Sequence, residues 1–103
     1  MRFVDRRVYH GPNVYALYPV ARFTLDLGPM ETRPSSSIPG FTDGLLALVP
    51  SLSEHCCCFT DAGGFVRRVR EGTWMGHVLE HVAIALTNLA GVRVSFGKTR
   101  GTG

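Results

Sequence analysis

The sequence predicts an α+β fold: a small, mostly antiparallel sheet with one long and one short helix packed on it. Two patterns carry that expectation. Ala21, Phe23, Leu25 and Leu27 alternate with Arg22, Thr24 and Asp26, the period of two of a half-buried strand. Further on, apolar residues recur at helical spacing from Trp74 to about Ala90, and Gly91 stands where a left-handed C-cap is expected. Thr73 is the expected N-cap.

The remaining elements follow in order. Arg2 to Tyr9 reads as a strand, His10-Gly11-Pro12-Asn13 as a turn, and Val14 to Tyr18 as a second strand ended by Pro19. Gly28 to Gly40, rich in Pro and Ser, is a loop. Phe41 to Val49 forms a short helix stopped by Pro50. Ser51 to Gly64 is irregular, Phe65 to Arg70 forms one or two helical turns, and Val92, Val94 and Phe96 alternate as a last strand.

Length and composition restrict the function. The chain has 103 residues, 45% hydrophobic and 18% charged, as expected of one folded domain rather than a disordered segment. No apolar run approaches the ~20 residues of a membrane span, and no apolar stretch follows the charged N-terminus, so a secretory signal is not expected there. Cytoplasm is the default location. Cys56, Cys57 and Cys58 are odd in number and adjacent, which argues against a disulfide framework. The net charge is +3, with Arg67, Arg68, Arg70, Arg93 and Arg100 in the C-terminal half. Such a surface can hold carboxylates or phosphates, or simply be a solvated basic face. No basic–aromatic module argues for nucleic acid.

The long helix carries the chemistry. At about 100° per residue, Met75, Val78, Leu79, Val82, Leu86 and Leu89 fall within one arc roughly 100° wide, the expected core stripe. His77, Glu80, His81 and Asn88 lie on the other side. His77 and His81, at i and i+4, can hold one metal ion between them. Glu80 flanks the same face and can take a proton from water as a general base. This is the His-x-x-Glu-His order of inverted zinc hydrolases; a polar, solvated helix face is the plain alternative. Catalytic zinc usually has three protein ligands. His55 and the cysteines are the first candidates for the third, and Glu71 is a weaker one. Trp74 reads as a core or groove aromatic, with stacking on a ligand as the alternative.

The run from Gly63 to Ala83, with Leu89 to Arg100, resembles the N-terminal domain of cyanophycin synthetases. Gly11-Pro12-Asn13, Ile38-Pro39-Gly40-Phe41 and Pro50-Ser51-Leu52-Ser53-Glu54-His55 match the same family in order. In that family the domain precedes an ATP-grasp ligase domain and a Mur-ligase-like domain, which build a polymer of aspartate backbone with arginine branches. The resemblance implies a module that docks this polymer and, in some members, a zinc metallopeptidase that cuts it into primers. It implies His77 and His81 as zinc ligands and Glu80 as general base. Arg67, Arg68 and Arg70 become candidates for meeting substrate carboxylates, with Trp74 beside them. Two departures stand out. Ala85 occupies a position where the family commonly has glutamate, and the family domain extends beyond the segment ending at Arg100. The chain is thus expected to be a single domain over residues 1–103, truncated on its C-terminal side, with an edge strand open to self-association. Three readings result: a zinc-dependent hydrolase of the polymer, a docking module without chemistry, or a fragment without independent activity.

Overall fold

The structure, a computed structural model, describes residues 1–57, 62–94 and 97–99. Among the described residues it has α+β composition: a two-stranded antiparallel sheet and three α-helices. Two helices are short rather than one, because the turns expected around Phe65 extend to eight residues. The residues group into two compact units, Met1–Glu31 and Thr32–Gly103. Among the described residues no helix is long and apolar enough to cross a membrane.

The first unit is a hairpin of β1 (Arg2–Tyr9) and β2 (Val20–Asp26). Arg6 pairs with Phe23 and Val8 with Ala21, and the register shifts between Phe3 and Asp5. Phe3 and Phe23 meet edge to face, with ring centroids 6.1 Å apart. The strand expected over Val14 to Tyr18 does not form. The Asn13 side chain explains why: its Oδ1 accepts the backbone N–H groups of Tyr15 and Ala16, and its Nδ2 donates to the carbonyls of His10 and Tyr18. A side chain that bonds its own backbone in this way holds a turn instead of a ladder. Gly11 is needed there, since a Cβ would lie 2.7 Å from the Tyr18 carbonyl carbon.

The second unit contains α1 (Phe41–Leu48), α2 (Gly64–Glu71) and α3 (Met75–Leu89), with short 3-10 turns at Ser35–Ser37 and Pro50–Glu54. Its core is Val49, Leu52, Phe65, Val69, Met75, Val78 and Ala85. Buried Ser35 ties the helices together. Its hydroxyl donates to the Val69 carbonyl at 2.7 Å and accepts from the Thr73 N–H at 2.9 Å, and its own N–H reaches the Thr73 carbonyl.

The C-terminus of α3 closes as expected. Gly91 has φ +95°, its N–H bonds the Asn88 carbonyl, and the Val92 N–H bonds that of Thr87. This is the double bond pattern of a Schellman cap. The N-terminus differs: Trp74 is the N-cap residue, without a side-chain cap bond, because the Thr73 hydroxyl is engaged with His77 instead. No strand forms over residues 92–94. Both hydrogen-bonding groups of the Asn88 side chain are spent on Val94, holding this segment against α3. Phe96 and Cys58 lie outside the described residues.

The buried stripe of α3 also differs from expectation. Met75, Val78, His81 and Ala85 are buried, while Leu86 and Leu89 are 51% and 69% exposed. The stripe is turned by roughly 60° from the purely apolar one. Phe65 accounts for the turn, since its ring lies flat on His81 and draws that imidazole into the core.

Candidate metal centre

Three elements bring the site together. α3 presents His77 and His81 one turn apart, with ring centroids 5.0 Å apart. The 3-10 turn begun by Pro50 ends at Glu54 and delivers His55 and, two residues on, Cys57. α2 supplies Phe65, fully buried, which stacks on His81 at 4.0 Å and meets His77 edge-on at 5.6 Å.

One donor atom each from Cys57, His77 and His81 lies within 4.8 Å of the others. His81 is buried; Cys57 and His77 are half-buried. His55 Nδ1 stands 2.9 Å from His81 Nδ1, and Thr73 Oγ1 stands 2.9 Å from His77 Nδ1. Glu80 has 17% of its side chain exposed, with Oε1 3.9 Å from His81 Nε2. The Thr99 hydroxyl donates to Glu80 Oε2. Gly97 comes close as well: a Cβ there would lie 3.0 Å from Glu80 Cγ and 2.9 Å from Ile84 Cδ1.

Burial decides the protonation of the three histidines. It lowers the pKa of His81 to about 4, with the neighbouring His77 and His55 adding to the effect and Glu80 opposing it. Burial also lowers His77, with Glu80 opposing and Arg68 assisting, and it lowers His55. At neutral pH each ring is uncharged and keeps one lone pair, the state in which imidazole ligates a metal.

The donor set fits zinc. Two imidazoles and a thiol are borderline-to-soft ligands, poorly matched to magnesium or calcium. Three protein donors match the number at catalytic zinc sites, which keep a fourth position open. Ala85, one turn beyond His81, is buried and offers no donor. Cys57 offers the third donor instead.

The other candidates are distributed differently. Cys56 is exposed and lines a depression of about 310 Å³ with His55, His81, Ile84, Asn88 and Val94. Glu71 is exposed at the end of α2, outside the cluster. Arg70 is ion-paired with Asp43 at 2.8 Å, Arg67 is exposed, and half-buried Arg68 is near enough for its charge to act on His77. Trp74 is 58% exposed, not a core aromatic. His81, expected on the solvent side of the helix, is instead part of the core. The places of Phe65, Thr73 and Thr99 at the site were not foreseen from the sequence, where Thr73 read only as a helix cap and Phe65 only as part of a helical turn. Of these only Thr73 left a readable trace, lying four residues before His77 just ahead of the helix.

Comparison with known proteins identifies the family of the chain. Residues 22–103 match the cyanophycin synthase-like N-terminal domain. A cyanophycin synthetase of Synechocystis sp. is 45% identical over 104 residues, covering 99% of this chain and 12% of the relative. Those of Geminocystis herdmanii and Trichormus variabilis are 43% and 45% identical with the same coverage. The chain thus spans about 12% of the length of these curated relatives. A family match over residues 22–103, with relatives 43–45% identical along 99% of the chain, places the protein in the cyanophycin synthase-like N-terminal domain family.

Proposed function

We propose that this chain binds cyanophycin, the aspartate–arginine polymer, and hydrolyses it at a zinc site formed by Cys57, His77 and His81, releasing short primers. The observation that carries the reading is the convergence of these three donors within 4.8 Å beside the Glu80 carboxylate, which lies 3.9 Å from His81. Zinc held there would supply Lewis acidity toward a carbonyl and toward water. Glu80 takes the proton that water gives up. Thr99 occupies Oε2, which leaves Oε1 to receive it and then deliver it to the departing amide nitrogen. Water's oxygen ends on the carbonyl carbon, the C–N bond breaks, and the atoms balance. Phe65 covers one face of His81 and excludes water from that side. Arg67 and Arg68 give the nearby surface positive charge suited to the polymer's carboxylates.

A docking module without chemistry is the second reading. The Thr99 hydrogen bond to Glu80 favours it, because it occupies one of the two oxygens of that carboxylate. Glu80→Gln separates the two. The variant is expected to keep zinc and polymer binding while primer release falls by about a hundredfold or more. Unchanged release, or wild-type protein that takes up no zinc, rules the hydrolytic reading out. His77→Ala is expected to lose the metal.

A further inference from the structure

Both histidines of the pair use Nδ1 for a hydrogen bond inside the protein. His77 Nδ1 faces Thr73 Oγ1 and His81 Nδ1 faces His55 Nδ1, each at 2.9 Å. Thr73 is 5% exposed, so its hydroxyl is built into the site. Two imidazole nitrogens at that distance share one proton, one ring donating and the other accepting. With both Nδ1 atoms engaged, Nε2 is the ring atom left on each histidine for a metal. A neutral imidazole with a lone pair on Nε2 carries its proton on Nδ1.

We propose that Thr73 and His55 are positioning residues that accept the Nδ1–H of His77 and His81 and so fix both rings in the tautomer that offers Nε2 to zinc. The inference rests on the zinc-site reading above and deepens it. It places His55 one step outside the metal's ligands. It also gives His81 a consistent direction: Nδ1 points to His55, and Nε2 points to the side where Glu80 Oε1 lies 3.9 Å away. Lone pair and general base then share one side of the ring. Partners of this kind hold ligand histidines in orientation and raise their basicity, and their loss typically weakens metal binding 10–100-fold.

The test uses the full chain and zinc alone. Thr73→Val removes the acceptor at nearly constant volume, Thr73→Ser restores it, and His55→Phe removes the second acceptor. Competition against a chromophoric chelator is expected to show zinc affinity reduced about 10–100-fold in Thr73→Val and His55→Phe, with Thr73→Ser within about threefold of wild type. Nitrogen-15 shifts of the zinc-loaded wild type are expected to show Nδ1–H on His77 and His81 and no metal bond at His55. That measurement needs no variant to fold. Wild-type affinity in both Thr73→Val and His55→Phe, alongside lost binding in His77→Ala, overturns the inference and leaves the zinc site standing. Nε2–H on either ligand, or zinc bonded to His55, overturns it directly. A wild-type chain that binds no zinc removes the site itself, and the inference with it.

Discussion

The hairpin and the helical unit treat their apolar side chains in opposite ways. In the hairpin, Phe3, Val8 and Phe23 are 52% to 70% exposed and no residue up to Glu31 is buried. In the helical unit, Leu52, Phe65 and Val69 are fully enclosed, and His81 is enclosed with them. Every member of the metal cluster belongs to the second unit. The family match runs from residue 22, so it takes in that whole unit and, of the hairpin, only β2 from Arg22 onward. The difference teaches that packing and chemistry are one arrangement here. The ring that fills the core also fixes the imidazole.

The largest test of that contrast is a pair of phenylalanine truncations. Phe65→Ala is expected to cost about 3–5 kcal/mol in urea denaturation, through lost burial and an unfilled cavity. Phe23→Ala should cost less than about 1 kcal/mol, because half of that ring already meets water. Similar costs at the two positions would break the contrast.

Acid comes next. The pKa of His81 is about 4 in the folded chain against an ordinary 6.5. Between those values the unfolded chain binds more protons, so stability rises with pH across the window. The contribution is fully present above pH 6.5 and is lost as pH falls through about 4. It amounts to roughly 3 kcal/mol at most. His55 and His77 shift in the same direction. In the hairpin the shifted groups are Tyr15, lowered chiefly by its hydrogen bond with Arg22, and Arg22, raised chiefly by the same bond. Urea midpoints of chelator-treated protein at pH 7 and pH 4.5 measure the slope, and His81→Phe is expected to flatten it.

The smallest effect concerns surface charge. Arg70→Ala breaks the ion pair with Asp43, and Arg22→Ala breaks the pair with Asp5; both pairs are well exposed. Each change should cost less than about 1 kcal/mol. A larger cost at Arg70, seen in the same melts, would give α2 a structural charge that the hairpin lacks.

Much of the fold was legible in the sequence. Period two marked β2, and Gly91 marked the end of α3 because few other residues accept its φ. Pro50 marked the end of α1. Three of the misreadings share a cause, since each turns on one polar side chain acting on its neighbours. Asn13 converts an apparent strand into a turn. Thr73 bonds a histidine instead of capping a helix. Asn88 holds Val94 where alternation alone suggested a strand. Hydrophobicity also misjudged α3, because it scores leucine as core and histidine as surface, and cannot see an aromatic ring arriving from another helix. The His77, Glu80 and His81 spacing was readable because it is local. Cys57 could not be singled out from its two neighbours, since only the folded chain brings it to the pair.

Gly97 carries a last consequence. It sits close against the Glu80 and Ile84 side chains, so that any side chain there would push both aside, and two residues later Thr99 bonds the same carboxylate. A saturation mutagenesis screen for function would then group positions 97 and 99 with the helix 19 residues before Thr99, not with the loop that carries them. The intolerance map of this domain would show two separate stretches of sequence behaving as a single word.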